Sequence, residues 1–156
     1  MRYRLALAMI AWLATGCGSS EPAQLSVAHR GALADSVLSL FDSLAAIHRD
    51  HPDTGLLRRL HPPTDTLLFI EGLVPEAFTG ESLFRRVVAL HLPVRSMNQR
   101  FSDRTAHLLD SRHALISARE VVEWVDTAGP HHYAGLLTLA VSRNRNGWVI
   151  RAYRGS

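Results

Sequence analysis

The sequence predicts an α+β domain in which a curved antiparallel sheet wraps around N-terminal helices. Three observations predict it. Leu33, Val37, Leu40, Phe41, Leu44 and Ile47 recur at spacings of three and four, which places one apolar stripe on a long helix. The C-terminal third instead alternates at period two: Ala114, Ile116, Ala118, Val122 and Trp124, then Tyr133, Leu137, Leu139 and Val141, then Trp148, Ile150 and Ala152. Between those runs stand turn signals at Asp110-Ser111, Ala128-Gly129-Pro130 and Asn144-Arg145-Asn146-Gly147.

Each element follows in order. The stripe predicts a helix from about Val27 to Arg49, ended by Asp50-His51-Pro52. Asp53 or Thr54 can cap a second, short helix through Leu60, stopped by Pro62-Pro63. Thr66 to Ile70 is a compact strand, and a turn at Gly72 leads to a return strand through Phe78. Pro75 confines that return strand to an edge or a bulge. Thr79-Gly80 opens a third helix with Leu83, Phe84, Val87, Val88 and His91 along one side, and Pro93 closes it. Val94 to Leu109 reads as a polar strand with Met97, Phe101 and Leu109 on one side.

The first residues carry a different message. Met1 to Arg4 supply positive charge, and Leu5 to Leu13 form a nine-residue apolar run. That run is too short to span a bilayer and has the length of a signal-peptide core. Ala14-Thr15-Gly16-Cys17 resembles the lipobox of bacterial lipoproteins, with alanine where leucine is commonest. The resemblance implies residues 1–16 as a signal peptide, a lipid on Cys17, residues 17–26 as a lipidated tether, and residues 27–156 as the folded domain. It implies a cell-envelope location. Gly18 in place of a retaining aspartate favours an outer membrane, facing the periplasm, in a cell with two membranes. Several acyl chains make such an anchor stable, whereas one is marginal.

Composition narrows the partners. The 156 residues are 47% hydrophobic and 20% charged, as expected of a globular protein. All seventeen basic residues are arginine, yet the net charge is only +3, and removing Arg2 and Arg4 leaves about +1. No basic run is interleaved with aromatics, so nucleic acid is not an expected partner. The single cysteine excludes an intrachain disulfide.

The domain resembles the nuclear transport factor 2-like superfamily, particularly its SnoaL-like bacterial members, over about Val27 to Ser156. Three features carry the resemblance: the leading helix with its breaker, Leu67-Leu68-Phe69-Ile70-Glu71-Gly72 followed by Phe78-Thr79-Gly80-Glu81-Ser82-Leu83, and the ending Asn146-Gly147-Trp148-Val149-Ile150-Arg151-Ala152-Tyr153-Arg154. It implies a cone-shaped, cystatin-like domain with a pocket between sheet and helices, and a homodimer through the exposed sheet face. Function varies widely on one fold, so shape alone does not decide it.

Glu71 is the candidate catalytic residue, since the ketosteroid isomerase branch has its general-base aspartate at the matching place before the glycine. A desolvated carboxylate can abstract a proton beside a carbonyl. The branch's tyrosine donor is missing, because the first helix carries Phe41 instead. Phe41, Phe69, His91, Met97, Phe101, Trp124 and Tyr133 are candidate ligand contacts, with His107 a further pocket-facing histidine. Arg119, Glu120 and Glu123 lie in the central strand, where a pocket arginine could bind an acidic ligand, although a cross-strand charge pair on the exposed face is the more usual explanation. The nine histidines invite a metal, and His48, His51 and His61 have a possible spacing, but no carboxylate pattern completes a site. His131 and His132 are adjacent in a strand and point apart. No nucleophile elbow or phosphate loop occurs, and no metal or cofactor is expected. Three functions remain open: a tethered domain binding a small apolar ligand or a protein partner, an isomerase, cyclase or dehydratase with Glu71 as base, and a structural dimerisation module of the envelope.

Overall fold

The computed structural model describes residues 26–49, 53–71 and 74–155. The expected signal segment, Cys17, the tether up to residue 25, the breaker Asp50-His51-Pro52 and the turn at Gly72 lie outside the described residues. No helix among the described residues is long and apolar enough to cross a membrane. Three helices and six strands follow in the order α1 (Val27–Ile47), α2 (Thr54–Leu60), β1 (Thr66–Glu71), β2 (Val74–Thr79), α3 (Gly80–His91), β3 (Ser96–Leu108), β4 (His113–Asp126), β5 (Gly129–Asn144) and β6 (Gly147–Gly155).

Each helix begins at a side chain able to accept an orphan backbone N–H. Ser26 Oγ accepts from His29 N at 3.2 Å, Asp53 Oδ1 from Leu56 N at 2.9 Å, and Thr79 Oγ1 from Ser82 N at 3.1 Å. The predicted stripe of α1 is buried in full, with Val37, Phe41 and Ile47 at 0% exposure. It packs chiefly against β3. Trp148 of β6, also buried, donates its indole N–H to Ser36 Oγ at 3.3 Å and so ties the closing strand to the leading helix.

The strands form one curved, open sheet in the order β2-β1-β6-β5-β4-β3. The expected antiparallel pairing holds everywhere except between β1 and β6, which run parallel, with Phe69 in register with Tyr153 and Glu71 with Gly155. The β1–β2 hairpin is followed by α3 and the β3–β6 meander, and that long return allows a parallel neighbour.

Two bulges bend the sheet and change which residues face inward. On β3, Ser102 pairs with Arg119 but Thr105 with Ser117, so Asp103 and Arg104 oppose Ala118 alone. Asp103 takes a positive φ of 50° there. On β6, Ile150 pairs with Val141 and Ala152 with Ala140, which leaves Arg151 as the extra residue. A slip of one residue reverses every later side chain. The expectation that Leu109 shares a side with Phe101 is therefore corrected: Ala106 and Leu108 pack on the core, while His107 and Leu109 are exposed. Likewise Ala152 does not share the face of Ile150, and Tyr153 turns inward in its place.

The arginines of the two bulges tie the sheet to other elements. Arg104 reaches Asp42 of α1 at 2.7 Å and lies over the Phe41 ring. Arg151 donates to Ser142 Oγ at 2.7 Å and pairs with Asp65 in the turn before β1. That turn docks α3: Gly80 N donates to Asp65 O at 3.0 Å, and a Cβ on Gly80 would lie 2.1 Å from the Pro62 carbonyl oxygen. No side chain fits against that backbone. Gly80→Ala should therefore destabilise the fold by more than about 3 kcal/mol, read by denaturant unfolding. A loss no larger than that of an ordinary helix substitution would show that the Pro62 turn yields freely.

Candidate functional site

Beyond the C-terminal end of α1 the sheet and helices part and leave a cavity of about 590 Å3. Every element contributes a wall. Leu44, Ile47 and His48 come from α1 and its end, Leu57 and His61 from α2 and its end, Phe69 from β1 and Phe78 from β2. Leu83, Arg86, Val87 and Leu90 come from α3, and Gln99, Glu120, Tyr133, Leu137, Tyr153 and Gly155 from the long strands. The size suits a small organic ligand, and the walls are mostly apolar with a few convergent polar groups.

Glu120 is the carboxylate among them. It does not join an exposed charge pair, as its neighbours do: Glu123 pairs with Arg100 at 3.1 Å and Arg119 with Asp103 at 3.3 Å. Glu120 follows Ala114, Ile116 and Ala118 on the buried face of β4 and turns into the cavity. Its Oε1 accepts from Gln99 Nε2, on the strand beside it. Burial raises the carboxyl pKa above the ordinary glutamate value, and the Gln99 hydrogen bond opposes only part of that rise. The signal for Glu120 was present in the alternation itself, since Glu120 sits midway between Ala118 and Val122. Gln99 stands in the same way between Met97 and Phe101.

His61 is the one polar side chain buried to 2% exposure among the described residues. Its Nδ1 lies 3.0 Å from the Leu57 carbonyl, which can only accept, so Nδ1 carries the proton. Burial lowers the His61 pKa to about 4, against the raising effect of that carbonyl. At neutral pH the ring is therefore uncharged, and its bare Nε2 accepts from the Tyr153 hydroxyl. Burial, with the Glu120 charge adding to it, pushes the Tyr153 phenol well above its usual range, so it remains a donor. His48 and His91 repeat the arrangement. His91 Nδ1 faces the Val87 carbonyl at 2.8 Å, and His48 Nδ1 lies 3.0 Å from His91 Nε2. In the neutral pair His48 donates to His91, which leaves His48 Nε2 as an acceptor. Burial first, then the neighbouring His91 and His61, lowers the His48 pKa to about 4.

The residues singled out from sequence fall into five places. Phe69 and Tyr133 line the cavity, and His91 touches it through His48. Phe41 and Phe101 pack ring to ring at 5.0 Å in the solid core and are not among the lining residues. The stripe of α1 and the inner face of β3 are closed against each other there, so no hollow is left. Met97 and Trp124 belong to a second depression at the β3–β4–β5 end, where Trp124 stacks on His131 at 4.9 Å. Glu71 is placed by its backbone at the last position of β1, in register with Gly155, and its side chain lies outside the described part. His107 is exposed. Among the described residues no group of three or more histidine, cysteine, aspartate or glutamate side chains is arranged to hold a metal ion.

The histidine shifts have a sign. An unfolded His61 takes up its proton near pH 6.5, whereas the folded one holds out to about 4. Acid is therefore absorbed by the unfolded chain first, and stability falls as pH drops through that interval. The His61 shift is worth on the order of 3 kcal/mol. Denaturant titrations across this range should show the fall, with a shallower slope in His61→Gln, and equal slopes would contradict the buried neutral ring. Tyr153→Phe strips His61 Nε2 of its donor and should cost about 1–3 kcal/mol.

No protein-family model and no curated protein matches the chain by sequence. Solved structures match by shape. A protein from Kribbella flavida superposes with a TM-score of 0.70 at 20% identity, over 78% of this chain and 88% of that one. A nuclear transport factor 2-like superfamily protein from Salmonella enterica gives 0.62 at 12% identity, over 81% and 89%. A candidate dehydratase of the same family from Streptomyces avermitilis gives 0.61 at 12% identity, over 78% and 96%. At these identities the likeness concerns architecture, and the domain has the nuclear transport factor 2-like fold.

Proposed function

We propose that this domain binds a small, mostly apolar molecule in its cone cavity without transforming it, and that a lipid on Cys17 holds it in the cell envelope. The observation that carries the reading is the cavity itself: about 590 Å3 between sheet and helices, lined mostly by apolar side chains with a few polar groups among them. Of its two phenols, that of Tyr153 gives its proton to His61. The obvious charged donor is Arg86 at the rim, half-exposed, 3.7 Å from Glu76 and set over the Phe78 ring. Enolisation needs a donor fixed where negative charge develops on oxygen, and Arg86 faces Glu76 instead. The mostly apolar walls serve recognition of an apolar body directly.

One observation favours a second reading. A carboxyl of raised pKa within apolar walls is suited to proton transfer, and Glu120 has both properties. Glu71 stands two residues beyond the cavity-lining Phe69, at the strand end beside Gly155. An isomerase, cyclase or dehydratase would use either carboxylate as its base. Loss of turnover in Glu120→Gln or Glu71→Gln would then identify the base, whereas no turnover in any variant or in the parent supports binding alone.

Two measurements test the binding reading. Val87 lines the cavity from the half-buried side of α3. Val87→Trp should fill the space, leave the circular dichroism spectrum unchanged, and remove any small molecule that native mass spectrometry finds on the protein from its host. Retention of that molecule would place it elsewhere. Cys17→Ser should move the protein from the membrane fraction to the soluble fraction, and an unchanged distribution would remove the lipid anchor from the account.

A further inference from the structure

We propose that the ligand of the cone cavity is an organic cation: a protonated amine on an apolar body, with its N–H groups directed at Glu120 and Gln99 Oε1. This rests on the small-molecule reading and names the class of molecule.

The charge pattern is the first support. Arginines pair with many of the carboxylates elsewhere on this domain: Asp42 has Arg104, Asp65 has Arg151, Glu81 has Arg58 and Arg85, Asp103 has Arg119, and Glu123 has Arg100, while Asp110 and Asp126 meet histidines and Asp53 caps α2. Glu120, in the cavity, has no cationic partner among the described residues. A half-buried carboxylate is costly to hold without one. Gln99 Oε1 is the second support. It is the one buried side-chain oxygen or nitrogen among the described residues that lacks a hydrogen-bond partner, and it belongs to the amide already bonded to Glu120. A native protein rarely leaves such an atom unsatisfied, and a donor arriving with the ligand would satisfy it.

The walls give the third support. Phe69 and Tyr153 lie ring to ring at 5.3 Å, with Phe78 edge-on to Phe69 at 6.2 Å. Aromatic faces attract organic cations and also accommodate an apolar body. The competing classes fit less well. An alcohol can donate to Glu120 but leaves its charge uncompensated. A carboxylate would meet the repulsion of Glu120, and Arg86 at the rim is already opposite Glu76. A bare metal ion would need several oxygen or nitrogen ligands, and no such cluster exists among the described residues.

Isothermal titration calorimetry on the full chain at neutral pH tests this with three probes of one shape: naphthylmethylamine, naphthylmethanol and naphthylacetate. The amine should bind at least about tenfold more tightly than the alcohol, as expected for one charge-assisted hydrogen bond, and naphthylacetate should bind weakest. In Glu120→Gln the ratio of amine to alcohol affinity should collapse towards one, and in Gln99→Met it should fall by a smaller factor. An alcohol or acetate that binds as well as the amine overturns the amine assignment and leaves the small-molecule reading intact. Persistence of the amine preference in Glu120→Gln overturns it equally. Failure of all three probes to bind overturns both.

Discussion

The architecture depends on one burial: the apolar stripe of α1 clasped by the inner face of a bent sheet. Leu33, Val37, Leu40, Phe41, Leu44 and Ile47 are all withdrawn from water, each worth roughly 1.5–3 kcal/mol if fully exposed otherwise. A flat sheet could not enclose a helix in this way. The extra residues at Asp103-Arg104 and at Arg151 supply the bend and, with it, two polar ties from the sheet, Arg104 to Asp42 of α1 and Arg151 to Asp65 in the turn before β1. Because α1 ends at Ile47 while β3, β4 and β5 run on, the clasp is solid at one end and hollow at the other. The cavity is thus a consequence of unequal element lengths around a fully buried helix stripe.

That hollow sets the chemistry of whatever faces it. Residues on the inner face of the strands must be apolar or must find partners, and three pairs show the partnering. His61 with Tyr153, His48 with His91, and Glu120 with Gln99 each join two elements that touch the cavity or its margin. The two histidine pairs close on themselves, since each proton has a place and burial keeps His48 and His61 neutral. The Glu120 pair does not close. It leaves a charge without a counter-charge and an amide oxygen without a donor. The imbalance lies in the cavity, and it separates this cone from a merely incompletely filled core.

Much of this was legible from residue order. The helix stripe, the caps at Asp53 and Thr79, the glycine that starts α3 and the period-two strands all follow from local physical chemistry, and the structure carries them. The bulges were not legible, because an extra residue in one strand is defined only against its partner. Their consequence is large: Tyr153 replaced Ala152 on the inner face, and His107 and Leu109 went outward. The parallel β1–β6 pairing was equally hidden, since it joins segments more than eighty residues apart. Glu120 is a different case. Its position on the apolar face of β4 was written in the alternation, and the nearby Arg119 and Glu123 made a surface charge pair look sufficient. Phe41 and Phe101 show the reverse, since large inward-facing aromatics fill a core at its solid end and line a pocket only at its hollow one.

The central claim is that the cone leaves a carboxylate isolated among apolar walls. An NMR titration of the Glu120 side-chain carboxyl carbon in the ligand-free protein measures this directly. The account predicts a midpoint above the ordinary glutamate value of 4.5, because burial opposes ionisation more than Gln99 supports it. A midpoint at or below that value would mean that the carboxylate is solvated or already paired, and not isolated among apolar walls.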